Sequence, residues 1–203
     1  NQLTGTIIPN AGTVHFKGRD ITRIASFARA HIGLARSFQI TSVFKNFTAR
    51  DNVALAVQAH VGHSFKFWKP AREDSRLVDP AQTLLERIGL GERGDVLAGN
   101  LAHGEQRQLE IAMALANEPE LLLLDEPMAG MGGEDSGRMV EFLRSLKGQL
   151  TLLLIEHDMD AVFALADRIT VLVYGRAIAT GVPGEIRGND DVRQAYLGED
   201  EVA

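Results

Sequence analysis

The chain has 203 residues, enough to bury a sizeable core as one domain or as a domain with an embedded subdomain. Hydrophobic residues make up 45% and charged residues 24%, an ordinary globular composition, and a formal net charge of −6 speaks against a protein that coats nucleic acid. The absence of cysteine excludes disulfides, thiolate metal sites and a cysteine nucleophile, and fits a reducing compartment.

No apolar run approaches the roughly 18 to 20 residues that span a bilayer, and no basic-then-apolar signal pattern is expected at the N-terminus. Work at a membrane would therefore require docking to another protein. Asn1-Gln2-Leu3-Thr4-Gly5 reads as the last turn of a helix stopped by glycine. Ile7 and Ile8 precede a turn at 9–12. Residues 13–16 read as a short strand before a turn at 17–20. Residues 32–39 make an apolar, strand-like lead into Gln39, with Phe44 and Phe47 just beyond.

Residues 51 to about 100 read as mostly helical. Val53, Leu55, Ala56 and Val57 mark one helix, and Leu84, Leu85, Ile88 and Leu90 a second that begins near Pro80. An irregular stretch with Trp68 and Pro70 separates them. His60 and His63 have no third ligand near them in the sequence and are expected to be solvated histidines.

The chain is organised around residues 101–127. Gly104 opens a segment of good helix formers, in which Leu109, Ala112, Met113 and Ala116 fall on one helical face. Ala102, His103 and Gly104 then lie at the helix start, where unpaired backbone N–H groups attract an anion, phosphate above all. Next come Leu121, Leu122, Leu123 and Leu124, an unbroken apolar run that suits a strand covered on both faces. Pro127 cannot continue a ladder, so Asp125 and Glu126 sit at the strand's carboxyl end, where open α/β sheets place their ligands. A glycine-rich turn follows from Met128 to Glu134, then a helix at 134–147. Thr151–Ile155 reads as a second buried strand running into Glu156 and His157. The remainder is expected to hold a helix at 161–167, strands at 169–173 and 177–180 around a turn at 174–176, and a last helix at 192–197.

On these residues the chain resembles the ATP-binding-cassette (ABC) ATPases. Leu101-Ala102-His103-Gly104-Glu105, followed by Gln106, is similar to their LSGGQ signature, and Leu121 to Glu126 meets the Walker B pattern. LAHGEQRQLEIAMAL, EHDMDAVFALADRITVLVYGRAIATG and the closing AYLGE resemble ATPase subunits of branched-chain amino acid importers across nearly the whole chain. The resemblance implies an α/β, P-loop NTPase-like ABC ATPase domain with an embedded helical subdomain. It divides the chain into an ATPase-core remainder at 1–40, a helical subdomain at 41–100, the signature, Walker B and switch-histidine core at 101–180, and a helical tail at 181–203.

The same resemblance implies the site. ATP and Mg²⁺ are the cofactors; Asp125 holds the metal through water, with Gln39 reaching it as the Q-loop glutamine. Glu126 polarises the attacking water and His157 is the switch histidine. Residues Leu101, Ala102, His103, Gly104 and Glu105 bind the nucleotide of a second ATPase subunit, homodimeric or heterodimeric. The implied partners are transmembrane permease subunits and, indirectly, a solute-binding protein, with the chain peripheral on the cytoplasmic face of the inner membrane. The cargo is branched-chain amino acids or related small polar solutes.

Three departures qualify these expectations. Ala102 stands where the signature serine hydrogen-bonds the γ-phosphate, so turnover is expected to be lowered but not abolished. Gly132 stands where the loop after Walker B has its aspartate. No G-x-x-x-x-G-K-[ST] occurs in the sequence. The phosphate cradle is therefore expected in an N-terminal segment outside these residues, and the 203 residues alone are expected to bind nucleotide weakly and hydrolyse little ATP. The alternative is a non-catalytic interaction module that docks to transporter subunits and relies on another chain for nucleotide binding.

Overall fold

A computed structural model describes residues 1–37, 42–62 and 70–197. The chain divides into two compact units, residues 1–155 and 156–203.

The first unit opens on a turn that ends at Gly5, whose φ of 78° is left-handed and whose N–H donates to Gln2 O at 3.2 Å. Two short strands follow, β1 (His15–Phe16) and β2 (Arg19–Asp20), paired antiparallel. Lys17 and Gly18 between them have φ of 52° and 76°, the left-handed pair that closes a two-residue hairpin. The turn is thus narrower than the sequence suggested, and Arg19 and Asp20 belong to a strand. Thr13 and Val14 lie before β1, because the Val14 N–H donates to the Thr22 hydroxyl at 2.8 Å and not to a ladder carbonyl. Helix α1 (Ser26–His31) carries Arg29, 1% exposed, whose guanidinium donates to the carbonyls of Gln2, Leu3, Thr22 and Ile24. That fan of four bonds ties the opening turn to the hairpin.

After β3 (Leu34–Arg36) come α2 (Ala49–Val61) and α3 (Ser75–Arg87), which pack together through Val53, Val57, Leu77, Ala81 and Leu85. Asp74 caps α3 by accepting the Arg76 N–H at 3.1 Å, so this helix starts five residues before the proline that was expected to open it; Pro80 lies inside. Helix α4 (His103–Leu115) buries Leu109, Ile111, Ala112, Ala114 and Leu115. This is wider than the single stripe read from the sequence, because α4 is flanked by α2, α3, β3 and α5 (Gly133–Leu146) at once. Met113 is only half-buried. Even Arg107 and Glu110 are buried on α4, paired at 2.9 Å, and Glu110 accepts the Ser42 N–H at 2.5 Å.

Strands β3, β4 (Leu121–Asp125) and β5 (Thr151–Ile155) form a parallel sheet in the order β3-β4-β5. Leu122, Leu123 and Leu124 are buried, as the apolar run predicts. β5 departs from expectation: Leu153 is 42% and Ile155 59% exposed. Among the described residues β5 pairs along one edge only, with β4, so its outer side chains meet solvent.

In the second unit, Asp158 caps α6 (Met159–Leu165) by accepting the Ala161 N–H at 3.1 Å, which sets its start two residues earlier than expected. β6 (Ile169–Val173) and β7 (Arg176–Gly181) form a hairpin through Tyr174 and Gly175, both at positive φ, with a bulge between Val171 and Leu172. Helices α7 (Pro183–Arg187) and α8 (Asp190–Val192) follow, and Arg193–Leu197 continues as a π-helix where the last helix was expected. The unit's core is Ile169, Val171, Ile186 and Val192.

Candidate functional site

The central strand delivers two carboxylates in succession. Asp125 is the last residue of β4, in register with Ile155 of β5, and the Glu126 N–H still donates to Ile155 O at 2.9 Å. There the backbone turns left-handed: Glu126 has φ of 48°. For a non-glycine residue this costs on the order of 1 kcal/mol, and the residue before a proline is steered toward extended backbone besides. The turn is held by that strand bond, by Ala129 N–H donating to Glu126 O at 3.1 Å, and by the burial of Pro127 and Met128. Strain kept in place by its surroundings is a feature of functional sites.

Period-two alternation decides what meets Asp125. Arg36 is in register with Leu123, so Leu34 and Arg36 share one face of the sheet with Leu123 and Asp125. Leu34 and Leu123 pack there with Ile21. One step further along, Arg36 Nη2 meets Asp125 Oδ2 at 3.0 Å, the side chains only 14% and 26% exposed. Arg36 Nη1 also donates to Asn1 Oδ1 at 2.6 Å. The sequence reading missed Arg36. Its strand position, three residues before Gln39, was visible; the register that aims it at Asp125 was not.

The second part of the site is the start of α4. Leu101, 5% exposed, anchors the turn, and Ala102 is the N-cap with extended backbone. Alanine has no side-chain acceptor for the first-turn N–H groups. The reach-back from inside the helix is present: Glu105 Oε2 accepts the Ala102 N–H at 2.8 Å. Gln106 makes the first intrahelical bond, to Ala102 O, so the His103, Gly104 and Glu105 N–H groups point past the helix end. A carboxylate there would oppose an anion, but Arg93 is bound to Glu105 (Nε to Oε1, 3.1 Å) and offsets that charge. Arg93 is a further residue that sequence reasoning did not find.

This start rests against the loop after β4. A Cβ at Gly130 would lie 3.4 Å from His103 Cε1, and Gly130 has φ of +75°. A Cβ at Gly104 would lie 3.5 Å from the Asp135 side chain on α5, so the loop after β4, the start of α5 and the start of α4 are in direct packing within the first unit. The donor set at Asp125 and Glu126 suits a hard divalent cation that takes most of its ligands from phosphate and water, for which one or two carboxylates suffice. It is not a protein cage: among the described residues no group of three His, Asp or Glu side chains could hold a metal alone.

Gln39 lies outside the described residues, as does His63. His157 belongs to the second unit, two residues past β5, its side chain 72% exposed with Nδ1 3.7 Å from Glu156 Oε2. His60 faces Glu118, Nε2 to Oε2 4.0 Å.

Known proteins resemble the chain over nearly its whole length. The family described as "ABC transporter" matches residues 1–129, and "Branched-chain amino acid ATP-binding cassette transporter" matches residues 178–202. The high-affinity branched-chain amino acid transport ATP-binding protein LivG of Salmonella typhimurium is 41% identical, over 98% of this chain and 81% of its own length. Its counterpart BraF of Pseudomonas aeruginosa is 37% identical over the same shares. Among solved structures, an ATP-binding cassette of an ABC transporter superposes with a TM-score of 0.83 at 28% identity, over 98% of this chain and 81% of that one. A cassette in its ADP conformation gives 0.81, also at 28%. The strand-borne Asp-Glu pair, the signature-like helix start and these likenesses agree: the chain belongs to the ABC transporter family and has the fold of its ATP-binding-cassette ATPases.

Proposed function

We propose that this chain is the ATP-binding and ATP-hydrolysing subunit of an importer for branched-chain amino acids or related small polar solutes. It works peripherally on the cytoplasmic face of the inner membrane, with transmembrane permease subunits, a second ATPase subunit and, indirectly, a solute-binding protein. The relatives that match 98% of the chain carry names of this kind, which supports the cargo class.

In this reading Asp125 and Gln39 hold Mg²⁺, which supplies charge neutralisation at the phosphate oxygens. Glu126 accepts a hydrogen bond from a water and takes its proton as the water oxygen bonds to the γ-phosphorus; the bond from that phosphorus to the bridging oxygen breaks, ADP leaves with its electron pair, and inorganic phosphate is released. Little covalent work falls to the protein in such a transfer; orientation and charge placement carry it. The N–H groups of His103, Gly104 and Glu105, with Leu101 and Ala102 setting the turn, receive the γ-phosphate of the ATP bound by the other ATPase subunit. His157 acts as the switch histidine on that phosphate. Closure on ATP and reopening after hydrolysis drive the permease between its two facings.

The observation that carries the reading is the pairing of adjacent carboxylates, one beyond the end of a buried central strand, with an uncapped helix start packed against the same loop. Glu126→Gln in the intact transporter tests it. Hydrolysis falls by at least about 100-fold while ATP binding is retained. Hydrolysis within a few-fold of the wild type would overturn the assignment.

A further inference from the structure

We infer that Arg36 is a positioning residue that competes with the divalent cation for the Asp125 carboxylate, and so sets how tightly the metal–nucleotide pair is held. This rests on the proposed function, since it takes Asp125 as the metal's protein donor.

The geometry separates this pair from the exposed ion pairs among the described residues; Arg107–Glu110 is also buried, but both partners lie on one helix. Arg72–Asp51, Arg76–Asp74 and Arg138–Glu134 each involve an arginine side chain at least 59% exposed, where solvent screening leaves little net interaction. Arg36 is 14% exposed and lies on a strand hydrogen-bonded to the one that ends in Asp125, so the approach of the two groups is set by sheet register. The guanidinium occupies Oδ2 at 3.0 Å. A cation binding that carboxylate must share it with a permanent positive charge or displace it, and either lowers affinity through like-charge repulsion across a poorly solvated gap. Asn1 Oδ1, 2.6 Å from Nη1, gives the guanidinium a second acceptor that keeps it nearby.

Function benefits from such a brake. An ATPase that must release its metal with ADP in every cycle is served by a donor carboxylate already partly neutralised. A purely structural pair would leave metal affinity unchanged on removal of Arg36.

The test is Mn²⁺ binding to the full-length subunit in the presence of adenylyl imidodiphosphate, read from the paramagnetic signal of unbound Mn²⁺. Wild type is compared with Arg36→Met, Arg36→Gln, Arg36→Lys and Asp125→Asn, with the thermal midpoint of each measured in chelator. Both neutral variants lower the Mn²⁺ Kd by about tenfold, as relief of a like-charge repulsion requires. Arg36→Lys keeps the charge and stays within about threefold of the wild type. Asp125→Asn weakens binding. Unchanged or weaker Mn²⁺ affinity in folded Arg36→Met or Arg36→Gln, with Asp125→Asn weakened, overturns the role of Arg36 and leaves the reading of Asp125 standing. Unchanged affinity in Asp125→Asn overturns both. If Arg36→Met does not fold, Arg36→Gln alone decides.

Discussion

Helices α2 and α4 are the same length and begin with nearly the same device, yet one start is closed and the other open. At α2, Thr48 Oγ1 accepts the Asp51 N–H at 3.0 Å while Asp51 Oδ2 accepts the Thr48 N–H at 3.3 Å, and Arg72 embraces the Asp51 carboxylate. Burial pushes the Asp51 carboxyl up, but its bonds from Arg72 and Thr48 outweigh this and hold it below the ordinary carboxylate range. At α4, Glu105 plays the part of Asp51 and Arg93 that of Arg72, but Ala102 replaces the threonine. The acid and its arginine are common to both starts; the hydroxyl is not. The first-turn N–H groups of α2 are taken, Asp51 by Thr48 and Ala49 and Arg50 by the Val96 and Gly94 carbonyls at 2.9 Å, whereas α4 in the proposed reading leaves its own to a ligand and forgoes roughly 1 kcal/mol of capping. The difference teaches that an imperfect helix start can mark a binding site.

The comparison can be broken most severely at Gly104. Gly104→Asp places a carboxylate on the open turn, where a Cβ has room beside Asp135. Steady-state hydrolysis in the intact transporter should fall by about 100-fold, and the thermal midpoint should also fall, because Gly104 is buried and the new carboxylate meets that of Asp135. Ala102→Ser acts in the opposite sense, restoring a hydroxyl that can donate to the γ-phosphate. Hydrolysis should rise by about tenfold, less than one transition-state donor can contribute, because the backbone donors already act there. An unchanged rate would show that the backbone donors suffice without it. The smallest effect belongs to the closed start: Thr48→Ala should lose about 1 kcal/mol of stability in denaturant unfolding, with hydrolysis per folded molecule unaltered.

What could be read in advance follows the range of the interaction. The Asp125–Glu126 pair was legible because an apolar run and a proline mark a strand end locally, and the start of α4 because glycine and helix formers mark a helix locally. Arg36 was not, because its meeting with Asp125 depends on the β3–β4 register, across 89 positions of sequence. Arg93 reaches Glu105 from a loop twelve residues away, and nothing in the intervening pattern aims it. Leu153 and Ile155 read as buried from their apolarity, but burial depends on what lies beyond the strand. The start of α3 is a different failure: Asp74 was a local cap signal in plain view, and Pro80 drew the boundary away from it.

Amide hydrogen exchange resolved to single residues tests the composite site most directly. The intact transporter is compared with and without adenylyl imidodiphosphate and Mg²⁺, reading the first-turn amides of both helices. The account predicts that the His103, Gly104 and Glu105 amides of α4 become protected by nucleotide, while the Arg50 and Asp51 amides of α2 exchange at the same rate in both conditions. Equal exchange at α4 with and without nucleotide would contradict it.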